Sequence, residues 1–224
     1  MTRFGIVILL NCMLAFRVDA ADVRIVGSEI STSAFYFEGA KAKGEIGDSF
    51  QCVLQKADYQ YFVDVVPFAR AVAMIDQENS DVIFPLVESP ARSDWALASD
   101  AVAVIEPAFV TKDPMLDDVR KLKGRTVATV QGSVFHEILL SVGASVSPVN
   151  RYNQGILMVE NERVDAALLP RLMLVQDEQT SFDTLNIVTL PDVRLVFYVS
   201  QNAPEKLSIL ANLNEAIQHC KTVN

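Results

Sequence analysis

One arginine stands directly after a short apolar run and a turn that proline marks. The run, residues 81–84, predicts a buried strand; residues 88–91 form the turn, and Arg92 follows it. Ligands of open α/β sheets bind where strands end, and a guanidinium can hold a carboxylate through two parallel hydrogen bonds. This position therefore predicts a binding site for a small anion. The alternative is a surface arginine that pairs with Asp94 or Glu88.

A second predicted strand also ends at residues that suit an anion. Residues 126–130 run into Gln131, Gly132 and Ser133, and the Ser133 side chain can cap the helix that follows. A strand, a glycine turn and a capped helix in this order leave free backbone N–H groups above the strand end. We therefore expect Gly132 and Ser133 to meet the anion that Arg92 holds.

The elements that position these residues alternate between strand and helix in both halves of the chain. Connections this short argue for parallel sheets with right-handed crossovers. Two long apolar segments, 101–110 and 193–200, are predicted to carry the chain into a second lobe and back. The predicted fold class is therefore α/β with two lobes, each a mostly parallel sheet flanked by helices, and a ligand cleft between them. Lobe 1 comprises residues 21–108 with 195–224, and lobe 2 comprises 109–194. The other predicted strands are 23–26, 59–66, 146–149, 164–169 and 187–190.

Local patterns predict where several helices begin. Asp48 or Ser49 can cap the first helix, and residues 114–122 are predicted as a short helix. Asn202 and Glu205 have capping-box spacing ahead of the last helix. The predicted apolar face of that helix comprises Leu207, Leu210, Leu213 and Ile217.

The first 20 residues are typical of a secretory signal peptide. A positive start at Arg3 precedes an apolar stretch, residues 4–16, and small residues permit cleavage after Ala20 or Ala21. This stretch is short for a membrane span, so a retained anchor is the less favoured alternative. Lipidation at Cys12 is less favoured still. The predicted location is therefore the periplasm.

The chain is acidic, with a formal net charge of −9, and it stays acidic without its first 20 residues. Such a charge repels phosphate backbones, so no nucleic-acid partner is expected. Two cysteines, Cys52 and Cys220, remain after export, and an oxidising compartment permits a disulfide between them. Both could equally be buried thiols, because sequence does not supply the Cα separation that a bridge needs.

The residue types give little support for catalysis. His136 and His219 form no evident triad with a nucleophile and an orienting acid. No cluster of histidine, cysteine and aspartate has metal-ligand spacing, and no glycine-rich phosphate loop is present. We therefore expect no enzyme activity and no cofactor. The alternative is a lyase-type enzyme with Glu88 as a general acid.

Several segments, taken in order, resemble a known family. They are residues 65–70, 81–92, 122–127, 131–133 and 163–167. Together with the predicted signal peptide they are similar to the type 2 periplasmic substrate-binding proteins of the extracellular solute-binding family 3 kind, which serve polar amino-acid transporters. The resemblance covers nearly the whole mature chain, and its specificity lies in the order and spacing of the segments.

The resemblance assigns roles to individual residues. It implies that Arg92 holds the ligand carboxylate, with Ser89 and Ser133 as helpers. It also implies that an aromatic residue stacks on the ligand, either Phe37 or Tyr36, from the predicted loop over residues 31–47.

One departure from the family concerns the other end of the ligand. Where the family usually places an aspartate that binds the ligand's α-ammonium, this chain has Leu168, Leu169 and Pro170. A buried ammonium without a partner costs several kcal/mol, roughly a hundredfold or more in affinity. We therefore expect a small carboxylate-bearing ligand other than a standard α-amino acid. Glu88 is a possible replacement for the lost carboxylate, unless it faces water.

The expected function is that of a monomeric, exported solute-binding protein for an ABC transporter, with a membrane permease as its partner. The two lobes would close on the ligand by hinge motion at the crossing strands, near residues 106–109 and 193–196. The alternative is a periplasmic sensory or accessory protein of the same fold that acts on a membrane partner.

Overall fold

The computed structural model describes residues 22–28, 34–174 and 184–221. The predicted signal peptide, residues 1–20, lies outside the described residues. The described residues form two mixed sheets and a two-stranded hairpin, with helices packed against the sheets.

The first sheet is built around a parallel core of three strands. Its order is β4-β1-β5-β13-β6, and β7 also pairs with β13. Strands β4 and β5 run parallel to β1, whereas β13 runs antiparallel to β5, β6 and β7. A single strand, β13, therefore opposes the direction of the others. The bounds are β1 Val23–Ser28, β4 Tyr61–Val66, β5 Val82–Val87, β6 Ala96–Ala98, β7 Ala103–Ile105 and β13 Val193–Ser200.

Three helices cover this sheet: α1 Glu45–Lys56, α2 Phe68–Asp76 and α5 Lys206–Lys221. Apolar residues of α1 and α5 join the inner face of the sheet in one core, which contains a cluster of phenylalanine rings. Ring centroids of Phe50 and Phe84 are 5.4 Å apart, and those of Phe50 and Phe197 are 4.9 Å apart. Contacts between aromatic rings contribute strongly to core energetics, so they fix α1 on the sheet.

The second sheet repeats the plan of the first. Its order is β10-β9-β11-β8-β12, with β10 and β11 parallel to β9 and with β8 antiparallel to both of its neighbours. Apolar clusters lie on both of its faces, which explains why β8 and β11 are nearly continuous apolar runs. The bounds are β8 Pro107–Thr111, β9 Thr126–Val130, β10 Ser145–Val149, β11 Ala166–Pro170, β12 Asn186–Thr189, α3 Val134–Ser141 and α4 Tyr152–Glu160.

The chain crosses between the two sheets twice. Strand β7 of the first sheet ends at Ile105, and β8 of the second sheet begins at Pro107, so Glu106 stands at the first crossing. The return lies between β12 and β13, after Thr189 and before Val193. The first strand after each crossing, β8 in the second sheet and β13 in the first, runs antiparallel to its neighbours. The predicted fold class, a two-lobed α/β architecture with mostly parallel sheets, is confirmed.

The region ahead of α1 differs from the prediction. A hairpin of β2 Tyr36–Glu38 and β3 Lys41–Lys43 replaces part of the predicted loop. The helix begins at Glu45, earlier than either predicted cap, after Gly44 at φ 88°. The Ala34 carbonyl accepts hydrogen bonds from the backbone N–H groups of two first-turn residues, which starts the helix without a side-chain cap.

Two other helix predictions are corrected. The short helix predicted over 114–122 is reduced to a 3-10 turn, Val119–Leu122, that the Asp118 side chain caps. The predicted capping box at Asn202 does not form, because Glu205 has φ 56° and the last helix begins one residue later. That helix buries Ile209, whereas Leu207 of the predicted apolar face is 69% exposed.

A disulfide joins Cys52 of α1 to Cys220 of α5, with an S–S distance of 2.05 Å. It ties the end of the chain to the first lobe across 168 residues of sequence. Two hydrogen bonds lie beside it: the Asp58 backbone N–H donates to the Asn212 side chain, and the Tyr59 hydroxyl contacts that of Ser208 at 2.8 Å. Within the part of the chain that the structure describes, no helix is both long and apolar enough to cross a membrane.

Candidate functional site

The arginine that follows β5 is buried. Ser89 is in an extended conformation and its Oγ accepts a hydrogen bond from the Ala91 backbone N–H, so Pro90–Arg92 forms one turn of 3-10 helix. This turn carries the Arg92 side chain inward, where the residue is only 4% exposed. Its Nη1 donates to the Val87 carbonyl, and its guanidinium carbon lies 5.7 Å from the ring centroid of Tyr198.

Arg92 has no carboxylate partner within 4.0 Å among the described residues, and in particular it pairs with neither Asp94 nor Glu88. The other cations that do form ion pairs are at least partly exposed, for example Arg24 and Arg120. A buried cation without an anion is unfavourable, because desolvation is not repaid by a counter-charge. The surroundings of Arg92 therefore suit a bound anion.

Tyr198 of β13 holds the turn in front of Arg92. Its hydroxyl accepts a hydrogen bond from the Ser89 backbone N–H at 2.8 Å and donates to the Ser89 carbonyl at 3.2 Å. Burial raises the pKa of Tyr198, and the Ser89 backbone and the Arg92 charge oppose that rise. The neutral phenol can therefore act as donor and acceptor at once, which fixes the position of Ser89.

A carboxylate of the second lobe reaches this turn. The Ser89 Oγ donates to Oε2 of Glu137 at 2.7 Å. Ser89 follows β5 of the first sheet, whereas Glu137 lies on α3 beside the second sheet. The hydrogen bond therefore joins the two lobes at the predicted anion site.

On the second lobe, the chain turns at Gly132, which has φ 74°, and α3 follows. Ser133 is at the N-cap position, but the predicted side-chain cap is wrong, because its Oγ donates to the Val130 carbonyl at 2.7 Å. Gly132 faces the first lobe: a Cβ at this position would lie 3.4 Å from the Phe68 ring. The predicted pair thus lies at the lobe interface. The expected free backbone N–H at Ser133 is wrong, because this N–H also donates to the Val130 carbonyl, at 3.2 Å.

Tyr152, at the start of α4, also belongs to this interface. It packs against the Phe135 ring, with centroids 6.1 Å apart. Burial raises the pKa of its hydroxyl, and a hydrogen bond with Ser133 and the charge of Arg92 oppose that rise. Its phenol therefore lies beside residues from both predicted halves of the site. A single tyrosine at a helix start carries no sequence signal for this role.

Glu88 has a partner outside the site. Its carboxylate accepts hydrogen bonds from the Arg194 guanidinium, and its backbone N–H donates to the Arg194 carbonyl at 2.8 Å. The hydrogen bond and the negative charge raise the pKa of Arg194. Both side chains are at least one third exposed. Glu88 therefore pairs with a cation of β13 in the first sheet, whereas Glu137 is the glutamate that reaches across from the second sheet.

The two candidate aromatic residues lie on opposite sides of their hairpin. Phe37 packs edge-on against Phe35 at 5.2 Å and Phe84 at 5.7 Å. It also covers Gly27, where an added Cβ would lie 2.6 Å from its ring. Tyr36 is 42% exposed. Phe37 is therefore the ring that lies against the carboxyl end of β1.

The segment that lacks the family aspartate ends at the first crossing. Pro170 is half-buried at the end of β11, where it pairs with Pro107. The next residue, Arg171, donates from Nη1 to the Glu106 carboxylate at 2.7 Å. Pro170 is thus followed by a cation that binds Glu106 at the first crossing.

Two other features that could support chemistry are a metal centre and a second pocket. The described residues contain no group of three or more metal-ligand side chains. A surface depression of about 360 Å³ lies beside the second sheet at the end where β9 begins, at Thr126, whereas the Gly132 turn follows the other end of β9. Four of its five charged side chains are in ion pairs: Lys112 pairs with Glu162 at 3.2 Å, and Asp113 and Asp165 both pair with Arg125. This depression is therefore separate from the Arg92 site.

Comparison with solved structures identifies the same architecture in other proteins. A histidine kinase sensor domain with similarity to periplasmic binding proteins superposes with a TM-score of 0.77 at 13% identity, covering 92% of this chain and 93% of that chain. The arginine-, lysine-, histidine-binding protein ArtJ of Geobacillus stearothermophilus gives 0.74 at 14% identity, covering 91% and 90%. The substrate-binding protein of an amino acid ABC transporter gives 0.70 at 16% identity, covering 91% and 94%.

No protein-family model and no curated protein sequence matches this chain. The structural neighbours nevertheless show that the chain has the periplasmic-binding-protein fold with two lobes, which agrees with the resemblance found in the sequence. These neighbours are binding proteins and sensor domains.

Proposed function

We propose that this protein is an exported solute-binding protein whose lobes close on a small carboxylate-bearing ligand. The observation that carries the proposal is the Arg92 side chain, which is 4% exposed at the lobe interface and has no carboxylate within 4.0 Å among the described residues. A ligand carboxylate would neutralise the guanidinium through a bidentate hydrogen bond. Neighbours that are named as amino-acid-binding proteins support this class of ligand.

Each lobe would contribute to the bound state. Lobe 1 supplies Arg92 and Ser89, and lobe 2 supplies Gly132, Ser133 and Tyr152. Hinge motion at the two crossings would bring these groups together, stabilised by contacts that the ligand makes only in the closed form. We take residues 21–108 with 195–224 as lobe 1 and residues 109–194 as lobe 2.

The ligand is proposed to differ from a standard α-amino acid. Pro170 removes the usual ammonium partner, and the Glu88 carboxylate is already paired with Arg194 of β13. A carboxylate compound without an α-ammonium therefore suits the site better. A periplasmic location and an ABC transporter as the partner complete the proposal, in line with the neighbours of this fold.

Titration calorimetry with libraries of carboxylates and amino acids tests the proposal. We expect at least one carboxylate to bind, and we expect Arg92→Ala to weaken that binding by about a hundredfold or more, because a truncated charge pair costs several kcal/mol. Arg70→Ala is the matched control, since Arg70 is exposed on α2. Undiminished binding by Arg92→Ala would contradict the proposal, and so would a library without any ligand.

A sensory or accessory protein of the same fold is the second candidate. Two observations favour it: histidine kinase sensor domains are among the neighbours, and the Ser89–Glu137 hydrogen bond joins the lobes through side chains of the protein alone. Affinity capture from membranes separates the candidates. Recovery of a receptor or kinase without a transporter permease supports the sensory role, and recovery of a permease supports transport.

A further inference from the structure

The Ser89 hydroxyl already takes part in two hydrogen bonds within the protein. It accepts a hydrogen bond from the Ala91 backbone N–H at 3.3 Å and donates to Glu137 at 2.7 Å. A hydroxyl has a single proton to donate. Ser89 therefore cannot donate to a ligand carboxylate while it donates to Glu137.

Glu137 also brings a negative charge to the turn that carries Arg92. Its side chain is part-buried at the lobe interface, and its residue is separated from Ser89 by 48 positions in sequence. A ligand carboxylate at Ser89 would meet this charge at short range in a partly desolvated space. Like charges at short range repel each other, and the repulsion is stronger where water is partly excluded.

We infer that Glu137 is an internal competitor for the ligand carboxylate, occupying Ser89 and holding the lobes together until a ligand displaces it. This inference rests on the proposed function of the Arg92 site. Glu137 thereby lowers the apparent affinity for any carboxylate, because the binding-competent arrangement first requires the Ser89–Glu137 hydrogen bond to break. It is also a specificity-determining residue, since a weakly binding anion cannot displace it.

Affinity measurements test the competition. Calorimetric titration of succinate and of L-glutamine is carried out on the wild-type protein and on Glu137→Gln and Glu137→Ala. We expect at least one of these probes to bind both variants about tenfold tighter than it binds the wild type, because both substitutions remove the charged acceptor of the Ser89 hydroxyl from the unliganded state. Glu215→Gln, which removes an exposed charge on α5, should leave affinity unchanged.

A failure of this inference is distinguishable from a failure of the proposed function. Weaker or unchanged affinity in the Glu137 variants overturns the inference, while a loss of binding in Arg92→Ala leaves the proposed function standing. Binding of neither probe by Glu137→Ala also overturns the inference, whereas the proposed function is judged on the wider libraries.

A distance measurement tests the contact between lobes without any ligand. Paired spin labels are placed at Met115→Cys in the second lobe and Leu207→Cys in the first, two positions that are 70% and 69% exposed. We expect Glu137→Ala and Ser89→Ala each to lengthen the distance, and the double variant to add nothing, since both remove the same hydrogen bond. An unchanged distance in Glu137→Ala overturns the inference.

Discussion

Arg92 and Arg24 place a guanidinium in two different environments, one buried and one half-exposed. Arg24 is half-exposed and donates from Nε and Nη2 to the Asp81 carboxylate, whose side chain is 7% exposed. The hydrogen bond to Asp81 raises the pKa of Arg24. Arg92 is buried with a backbone carbonyl and the Tyr198 ring as its neighbours. The first arginine neutralises a buried acid, whereas the second is the residue that we propose binds the ligand.

Replacing each arginine by methionine should separate these roles. We expect Arg92→Met to keep the free energy of unfolding or to raise it by up to about 2 kcal/mol, because a buried charge is removed at similar volume. Arg24→Met should lower it by about 1–3 kcal/mol, because the Asp81 carboxylate loses its counter-charge. Urea denaturation measures both changes. An equal loss in the two variants would show that Arg92 is a structural cation.

Two buried hydroxyl groups differ in whether they have a hydrogen-bond partner. The Ser28 hydroxyl, at the end of β1, has no hydrogen-bond partner within the described structure. The Thr129 hydroxyl donates to the Leu168 carbonyl at 2.8 Å between β9 and β11. We expect Ser28→Ala to raise the free energy of unfolding by about 1 kcal/mol, since it removes an unsatisfied donor, and Thr129→Val to lower it by about 1–2 kcal/mol. Thermal denaturation checks both signs, and a loss in Ser28→Ala would indicate a hidden partner.

At the scale of elements, the contact between α1 and α5 is reinforced by a covalent link. The Cys52–Cys220 disulfide joins residues that are 168 positions apart, so it restricts the unfolded chain strongly. We expect the double variant Cys52→Ala/Cys220→Ala to lower the free energy of unfolding by about 2–5 kcal/mol. Calorimetry with and without a reductant measures this, and the reductant should leave the variant unchanged. A reductant-insensitive wild type would contradict the prediction.

Much of the element order is predictable from the sequence because buried strands are short apolar runs bounded by turn residues. Strands β9 and β13 coincide with their predicted ranges, 126–130 and 193–200. The switch between lobes is marked by Glu106, which interrupts an apolar segment. Arg92 is likewise placed after its strand by the Pro90 turn.

Side-chain partners in the site are not predictable in the same way. Ser133 has the sequence context of a cap, yet its hydroxyl donates to Val130 within the preceding turn. Glu137 and Tyr152 reach the interface because α3 and α4 pack on the second sheet, and neither has a local pattern that marks it. Hydrogen bonds between distant segments depend on the relative placement of two lobes, which local propensity does not encode.

At the scale of the whole molecule, the two lobes differ in how the chain builds them. The second sheet, β8 to β12, comes from one continuous stretch, Pro107–Thr189. The first sheet is interrupted by that stretch and is completed only when β13 enters between β5 and β6. The second lobe therefore needs shorter loop closures than the first.

Refolding should reflect this difference. In pulse-labelled hydrogen exchange after dilution from urea, we expect amides of β9 and β11 to gain protection before those of β1 and β5, because contacts of the first sheet with β13 have a large sequence separation. The reverse order of protection would contradict the prediction. Wild-type protein with its disulfide reduced is the control that removes the preformed link between α1 and α5.

β13 is the last strand in chain order, so it is synthesised after its neighbour β5. Until residues 193–200 emerge, one edge of β5 has no neighbour, although β5 is among the most apolar strands of the protein. An unpaired apolar edge is a template for aggregation. We therefore expect the growing chain to need chaperones or delayed folding until residues 193–224 are available. A truncation before Val193 should yield insoluble protein even though the second sheet is entire.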